Sequence, residues 1–248
     1  LTGPMGQAAT AARQMQGGIS GAMTGVQSAA GRTAASLSGL QTAMNQTARA
    51  AGTMASGVQQ QSSAVQSAIA RLVTAAGATE DSVVQICFGY GMFTGALGLH
   101  YGLERIGATV VPTSSGNTEK QLKFMRDFGT DTIVATPSYC LYLAESAREM
   151  GETFPMEQYR LRLGLLGSEG CTPEMRDQIE QRWGGGFFAT DNYGLSELNG
   201  PGMSGECRQR CGLHINEDHF LCEIIDSKTG EVLEPGSTGE LVVTNLTK

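Results

Sequence analysis

The chain has 248 residues, a formal net charge of −7 and an isoelectric point near 5.0. This acidic balance argues against nucleic acid or an anionic membrane as a partner, because both require a basic surface. The sequence contains no run of about 18 apolar residues that could span a bilayer. It also lacks the charged segment and apolar core of a secretory signal. We therefore predict a soluble, cytoplasmic protein.

The first 67 residues differ in composition from the rest, with no Asp, Glu, Lys, His or aromatic residue. Two series with a spacing of seven, one through Met23, Leu37 and Met44 and one through Ile19, Val26 and Leu40, interleave like the a and d positions of a coiled coil. Against a helix, the segment holds many glycines, each costing about 1 kcal/mol in a helix interior. A helix, disorder and a helix bound to a helical partner all remain open for residues 1–67.

From about residue 68, apolar runs of strand length alternate with helical stretches. Strands are predicted at 82–88, 108–111, 132–135, 161–166 and 187–190, and helices at 94–106, 118–128, 138–150 and 173–183. This alternation predicts an α/β fold with parallel strands and crossover helices. Beyond residue 202, two further apolar runs at 220–225 and 241–244, separated by turn residues, predict a small antiparallel element.

A polar, glycine-rich stretch at 190–202 follows the last strand of the alternation. Ligands of open α/β sheets bind at the carboxyl ends of the strands. There the hydroxyl of Ser196 can bind a phosphate, and the carboxylate of Glu197 can hold a hard cation. The alternative is an ordinary surface turn, because short motifs also arise by chance.

A second candidate site lies at 88–95, where Phe88, Tyr90 and Phe93 stand among glycines. Glycines let a flat ligand approach the backbone while aromatic rings cover it. The alternative is core packing at a strand end.

From about residue 68 to 248 the chain resembles the phenylacetate-CoA ligases, a branch of the adenylate-forming superfamily. The matching stretches are 88–95, 99–110, 116–119, 125–129, 136–139, 167–169, 193–202 and 217–220. The resemblance implies that residues 68–248 are a partial adenylation domain, its mostly parallel sheet followed by a small antiparallel element. Residues 1–67 then form a separate low-complexity segment, helical or disordered.

The resemblance also assigns roles to particular residues. Ser196, facing the α-phosphate of ATP, and Glu197, holding Mg²⁺, are the implied catalytic residues. Ser168 and Glu169 stand where the family makes its adenine and carboxylate contacts, although Ser168 is alternatively a helix N-cap. Nucleotide contacts are further implied for Asp191, Asn192, Tyr193 and Gly194, and contacts to the aryl acid for Phe88, Tyr90, Phe93, Gly167 and Pro201.

The implied reaction has two steps and requires ATP, Mg²⁺ and CoA. The carboxylate of an aryl acid attacks the α-phosphate of ATP, giving an acyl-adenylate and pyrophosphate, and the CoA thiolate then displaces AMP. Positioning and charge neutralisation would be the enzyme's contribution to the first step.

Relatives carry a Ser/Thr/Gly-rich loop ending in Lys ahead of the region that matches residue 68, whereas the first lysine here is Lys120. The chain also ends before the parts that match a ribose-binding Asp and a small C-terminal domain. Together with a start at Leu1, these features predict an incomplete chain with little adenylation activity of its own.

Two further predictions concern metal and partners. Cys207, Cys211 and His214 are spaced loosely enough to form a zinc site or to remain reduced thiols in a glycine-rich loop. The six cysteines as a group favour free thiols over disulfides. The rival to the enzyme hypothesis is a non-enzymatic helical assembly protein that acts through residues 1–67, and a homo-oligomer is one form that such an assembly can take.

Overall fold

A computed structural model describes residues 4–91, 93–151, 155–198 and 200–246. The chain divides into two compact units, Leu1–Gln59 and Gln60–Lys248. The domain boundary predicted at 67/68 therefore stays a prediction. Met92 and Asn199, which belong to the matching stretches named above, lie outside the described residues.

Helix α1 comprises Pro4–Ala76, so the structure has the helix rather than disorder at the N-terminus. Side chains 10–50 are exposed along its first part, and the glycines there have no other atom within reach of an added Cβ. The last turns of α1, in the second unit, are different: Ile69, Val73 and Ala76 are buried. Among the described residues, no helix is both long and apolar enough to cross a membrane.

The second unit contains a seven-stranded sheet with the order β2-β1-β3-β4-β5-β6-β7. The strands from β2 to β5 are parallel, and β6 and β7 add to the β5 edge in antiparallel orientation. The strand bounds are β1 Val83–Ile86, β2 Thr109–Val111, β3 Thr132–Ala135, β4 Leu163–Gly167, β5 Phe188–Leu195, β6 Gly200–Glu206 and β7 Leu213–Ile215. The predicted α/β class is confirmed.

Four helices cross over between the parallel strands: α2 Thr94–Arg105, α3 Thr118–Asp127, α4 Pro137–Glu149 and α5 Pro173–Trp183. Thr136 and Thr172 cap α4 and α5 through their side chains, and a proline follows each cap at the first helical position. Thr172, rather than Ser168, is thus the N-cap of the helix after β4. The N-cap alternative for Ser168 is not what the structure shows.

Helices cover both faces of the sheet, so the central strands are apolar on both sides. On β3, Ile133 packs into one core cluster with α3, α4 and α5, while the adjacent Val134 packs into the other with α1 and α2. All four residues of β3 are buried. This double coverage leaves the carboxyl ends of the strands as the open edge where a ligand can enter.

The stretch 190–202 differs from the loop that its composition predicts. Strand β5 continues to Leu195, a 3₁₀ turn covers Ser196–Leu198, and β6 returns antiparallel to β5. Gly194 permits this tight return, because an added Cβ would lie 2.9 Å from Pro201 Cα on the returning strand. The predicted antiparallel element near the C-terminus is confirmed as the pair β8 (Phe220–Ile225) and β9 (Glu240–Asn245).

Candidate active site

A cavity of about 300 Å³ lies at the carboxyl ends of β4 and β5. Its walls come from five elements of the second unit: the end of α1, the start of α2, the ends of β4 and β5, and β6. The lining residues include Ile69, Phe88, Phe93, Ser168, Asn192 and Ser196. The volume lies at the lower limit of small-molecule sites.

The floor of the cavity depends on the close pairing of β4 with β5. Gly167 is the register partner of Asn192, and a Cβ on Gly167 would lie 2.5 Å from the backbone oxygen of Asn192. The next residue, Ser168, has a positive φ of 70°, a conformation uncommon for residues other than glycine. The chain thus turns sharply at the end of β4 and leaves Ser168 on the cavity wall.

The turn after β5 brings a hydroxyl and a carboxylate to the same cavity. Ser196 Oγ lies 3.3 Å from Thr94 Oγ1, at the first residue of α2, which ties the turn to the helix start. Tyr193, Gly194, Glu197 and Pro201 also line the cavity. Among the described lining residues, Glu197 carries the one formal charge.

The aromatic residues of 88–95 do not all face the cavity. Phe88 and Phe93 line it and pack edge to face, with ring centroids 5.1 Å apart. Tyr90 is not among the lining residues; its hydroxyl lies 3.0 Å from Nδ1 of His100, whose Nε2 lies 3.2 Å from Glu104. The structure thus places the Tyr90 phenol against α2 rather than on the cavity, and its role as a pocket wall stays a prediction.

Two of the predicted nucleotide contacts also lie away from the cavity lining. Glu169 accepts a hydrogen bond from the backbone N–H of Ser138 in the first turn of α4, at 2.5 Å. Asp191 does not line the cavity. Its backbone N–H donates a hydrogen bond to the carboxylate of Glu206 at 2.9 Å. These carboxylates are placed beside the cavity rather than on its wall.

Comparison with known proteins identifies the family. Residues 47–246 match the family model described as AMP-binding enzyme. The chain belongs to the AMP-binding enzyme family.

Among curated proteins, the chain is 50% identical over 183 residues to the phenylacetate-coenzyme A ligase of Pseudomonas putida. It is 47% identical over 182 residues to the enzyme of the same name from Escherichia coli. Each match covers 73% of this chain and 41% of the relative. The chain therefore spans about two fifths of the length of the curated relatives it matches.

Among solved structures, an open conformation of 2-hydroxyisobutyryl-CoA ligase, in complex with 2-HIB-AMP and CoA, matches with a TM-score of 0.69 and 23% identity. That match covers 75% of this chain and 41% of the other. A long-chain-fatty-acid-CoA ligase from Archaeoglobus fulgidus matches with a TM-score of 0.60 and 15% identity, covering 73% and 38% of the two chains. At these identities the likeness establishes the fold.

In this AMP-binding enzyme fold the structure does not form the predicted zinc site. Cys207 Sγ accepts from the backbone N–H of Gln209 at 3.3 Å, and Cys211 Sγ donates to the backbone oxygen of the same residue at 3.4 Å. His214 lies on β7, paired with Gly205. Within the described ranges no three His, Cys, Asp or Glu side chains could hold a metal ion together. All six cysteines are free, as in the alternative of reduced thiols, and a zinc site at Cys207, Cys211 and His214 stays a prediction.

Sequence reasoning missed several residues that line the cavity. Ile69, Leu72 and Val73 come from α1, and Thr94 from the start of α2. Continued at a spacing of seven, the heptad series of Met23, Leu37 and Met44 reaches Leu72. It indicates a helix there, but no local pattern shows that this helix meets β6. Thr94 lies within the matching stretch 88–95, but the resemblance assigned no role to it.

Beside the cavity, Asp191 shares a half-buried position with another carboxylate. Burial raises the pKa of Asp191, and the nearby charge of Glu206 raises it further, while Arg176 acts in the opposite direction. Because the raised pKa means that the folded state disfavours the ionised form, the charge of Asp191 costs stability at neutral pH.

We expect Asp191→Asn to raise the melting temperature of the ligand-free protein near neutral pH. The gain should shrink as the pH falls towards about 4, where an unfolded aspartate is itself protonated. Thermal unfolding followed between these limits measures the effect. Asp177→Asn, at an exposed position of α5, is the control for the same charge change; equal gains in both variants would contradict the prediction.

Proposed function

We propose that residues 68–248 carry the acid- and adenylate-binding core of a phenylacetate-CoA ligase. The carrying observation is that segments distant in sequence line one cavity, namely residues 69, 88, 93–95, 167–168, 192–197 and 200–202. Support also comes from 47–50% identity to four proteins of that name. The reaction of the whole enzyme is ATP-dependent conversion of an aryl-acetic acid to its adenylate, followed by transfer to CoA.

The cavity has the chemistry that such a ligand requires. Phe88, Phe93 and Leu99 present apolar surface to an aryl ring. Ser168, Asn192 and Ser196 supply polar atoms to the same cavity, suited to the carboxyl and phosphate groups that join the acid to AMP. In this proposal Tyr193 and Gly194 border the adenine, while Gly167 and Pro201 close the acid side.

A magnesium ion would be held by Glu197. This side chain is exposed at the cavity, and a single carboxylate fits the ion's preference for one or two protein carboxylates together with substrate phosphates and water. When bound, the ion neutralises phosphate charge. Glu197 would orient it, and Ser196, anchored to Thr94, would donate its hydroxyl proton to an α-phosphate oxygen.

Location and partners complete the proposal. Free thiols at all six cysteines suit a reducing cytoplasmic environment. The expected partners are a small aryl acid, ATP and CoA, consistent with the adenylate and CoA held by the structurally similar 2-hydroxyisobutyryl-CoA ligase.

The test is binding of 5′-O-(phenylacetylsulfamoyl)adenosine, a stable mimic of the acyl-adenylate, to the full chain by titration calorimetry. We expect saturable binding that Ser196→Ala weakens by about tenfold to a hundredfold, the range for a hydrogen bond to a charged group. Ser227→Ala, exposed in the turn between β8 and β9, is the control. Failure of the wild-type chain to bind this mimic would overturn the proposed function.

A second function is favoured by one observation on α1. The large apolar side chains at a and d positions are 58–69% exposed, namely Ile19, Met23, Val26, Leu37, Leu40 and Met44. Helices in proteins gain most of their stability from packing an apolar face against a neighbour. Arg13, Arg32 and Arg49 fall at e, c and f positions of this heptad frame, so two copies can pair without charge in the seam. We propose that residues 10–50 associate with a second copy of this chain as a parallel coiled coil.

The oligomer prediction is tested with two matched double variants. Leu37→Glu with Leu40→Glu places charge in the seam and is expected to convert a dimer to a monomer in sedimentation velocity. Ser28→Glu with Ser38→Glu adds the same charge at positions off the seam and should leave the dimer intact. A monomeric wild-type chain at micromolar concentration would contradict this second function.

A further inference from the structure

One side chain of the cavity wall, that of Ile69, packs against three glycines. Ile69, near the end of α1, is 1% exposed and lines the cavity. It belongs to the same core cluster as Phe88 and Leu99, which also line the cavity. Ile69 is therefore part of the apolar wall.

Three glycines surround Ile69. A Cβ added to Gly102 on α2 would lie 2.7 Å from Ile69 Cβ, and one added to Gly98 would lie 3.3 Å from Ile69 Cδ1. A Cβ on Gly202 of β6 would lie 3.4 Å from the same Cδ1 and still closer to Cγ1. The isoleucine thus occupies the space that three absent side chains leave open.

This packing makes Ile69 a fixed wall. A β-branched side chain in a helix has one strongly preferred χ1 rotamer, and contacts on α2 and β6 leave it little room to turn. Buried cores are close-packed, so the addition or loss of one methylene changes their packing. A substitution at Ile69 should therefore change the shape of the cavity.

We propose that Ile69 is a specificity-determining residue. It limits the size of the ring substituent that the cavity accepts at the end of the aryl acid remote from its carboxylate. This inference rests on the proposed function, since it takes the acid to lie with its ring against the apolar wall. Isoleucine at this position selects an unsubstituted ring over one that carries an additional alkyl group.

The experiment compares two sulfamoyl-adenosine mimics, one with a phenylacetyl group and one with a 4-methylphenylacetyl group, by calorimetry on the full chain. Ile69→Val removes one methylene-sized group, about the volume that the added methyl requires. We expect the affinity ratio to shift towards the methylated mimic by about tenfold, the lower end of what one methylene is worth in an apolar pocket.

The matched control is Ile86→Val. Ile86 is fully buried in the same core cluster but does not line the cavity, so the same substitution should lower stability without changing the affinity ratio. If Ile86→Val and Ile69→Val shift the ratio equally, or if neither does, the inference is overturned.

A second variant, Gly102→Ala, tests the same side chain from α2, on a residue that contacts Ile69. Gly102 does not line the cavity, and it lies inside α2 with a φ suited to alanine. Gly102→Ala should press Ile69 towards the cavity and weaken the methylated mimic more than the unsubstituted one. Combining Gly102→Ala with Ile69→Val should restore the wild-type ratio of the affinities for the two mimics. The proposal would be contradicted if the double variant lost affinity for both mimics by the sum of the losses in binding free energy of the single variants.

Different results would overturn the proposed function and the specificity role of Ile69. A wild-type chain that binds neither mimic overturns the proposed function, and this inference with it. A wild-type chain that binds the phenylacetyl mimic, with a ratio unchanged in Ile69→Val, leaves the proposed function standing and removes Ile69 as its specificity determinant.

Discussion

Gly167→Ala is expected to abolish useful binding of the acyl-adenylate mimic while leaving the rest of the fold in place. The added Cβ would lie 2.5 Å from the backbone oxygen of Asn192, and a backbone atom within a paired strand cannot rotate out of the way. Strands β4 and β5 must separate at the cavity floor. A misplacement of about 1 Å costs on the order of a hundredfold in a positioned site, and overpacking costs about 1–3 kcal/mol of stability.

The control for this variant lies three residues further along the same loop. An alanine Cβ at Gly170 would meet no atom within 4 Å, so Gly170→Ala should bind the mimic as the wild type does. Calorimetric affinity and the denaturation midpoint are measured for both variants. Wild-type affinity in Gly167→Ala would show that the cavity floor is not the ligand site.

Arg176→Leu is expected to destabilise the α/β unit by about 3–5 kcal/mol, the loss typical when one partner of a buried ion pair is removed. Arg176 meets Glu206 through two contacts of 3.0–3.1 Å, with the two side chains 16% and 9% exposed. Without the guanidinium, a buried carboxylate remains unpaired beside Asp191. Because Glu206 also accepts the backbone N–H of Asp191, the disturbance should reach β5 at the cavity.

Guanidinium denaturation followed by the fluorescence of Trp183 measures this loss, since Trp183 is the sole tryptophan and is buried on the same helix. Adding Glu206→Gln to Arg176→Leu removes the unpaired charge and should recover most of the stability. Arg182→Leu breaks the exposed pair with Glu145 at 3.8 Å and should change stability by less than about 1 kcal/mol. A similar loss in both arginine variants would contradict the argument.

The sequence predicted the repeating architecture well because its signals are local. Threonine followed by proline marks the starts of α4 and α5, and apolar runs bounded by polar residues mark the buried strands. The heptad series left a helix, disorder and a partner-bound helix open for residues 1–67, and the structure has a helix that continues to Ala76. Motif resemblance also indicated several of the lining residues, including Phe88, Ser168 and Ser196.

Other features had no local signal. The polar, glycine-rich composition of 190–202 predicts a loop, yet it forms the β5–β6 return because pairing to a neighbouring strand overrides composition. Tyr90 was assigned to the pocket by its aromatic ring, but the position of His100 on the adjacent helix directs its hydroxyl elsewhere. The thiols of Cys207 and Cys211 hydrogen-bond to the backbone of Gln209 between them. Within the described residues they do not form a metal-binding group with His214.

The amino-acid sequence by itself determined the alternation of strands and helices, the heptad pattern of α1 and the family to which the chain is similar. Only the tertiary structure decided which side chains share a cavity, and in particular that Ile69 of α1 is enclosed by glycines of α2 and β6. The reason is that periodicity and caps act over a few neighbouring residues. Contacts between residues 69, 102 and 202 depend instead on how the sheet brings distant segments together.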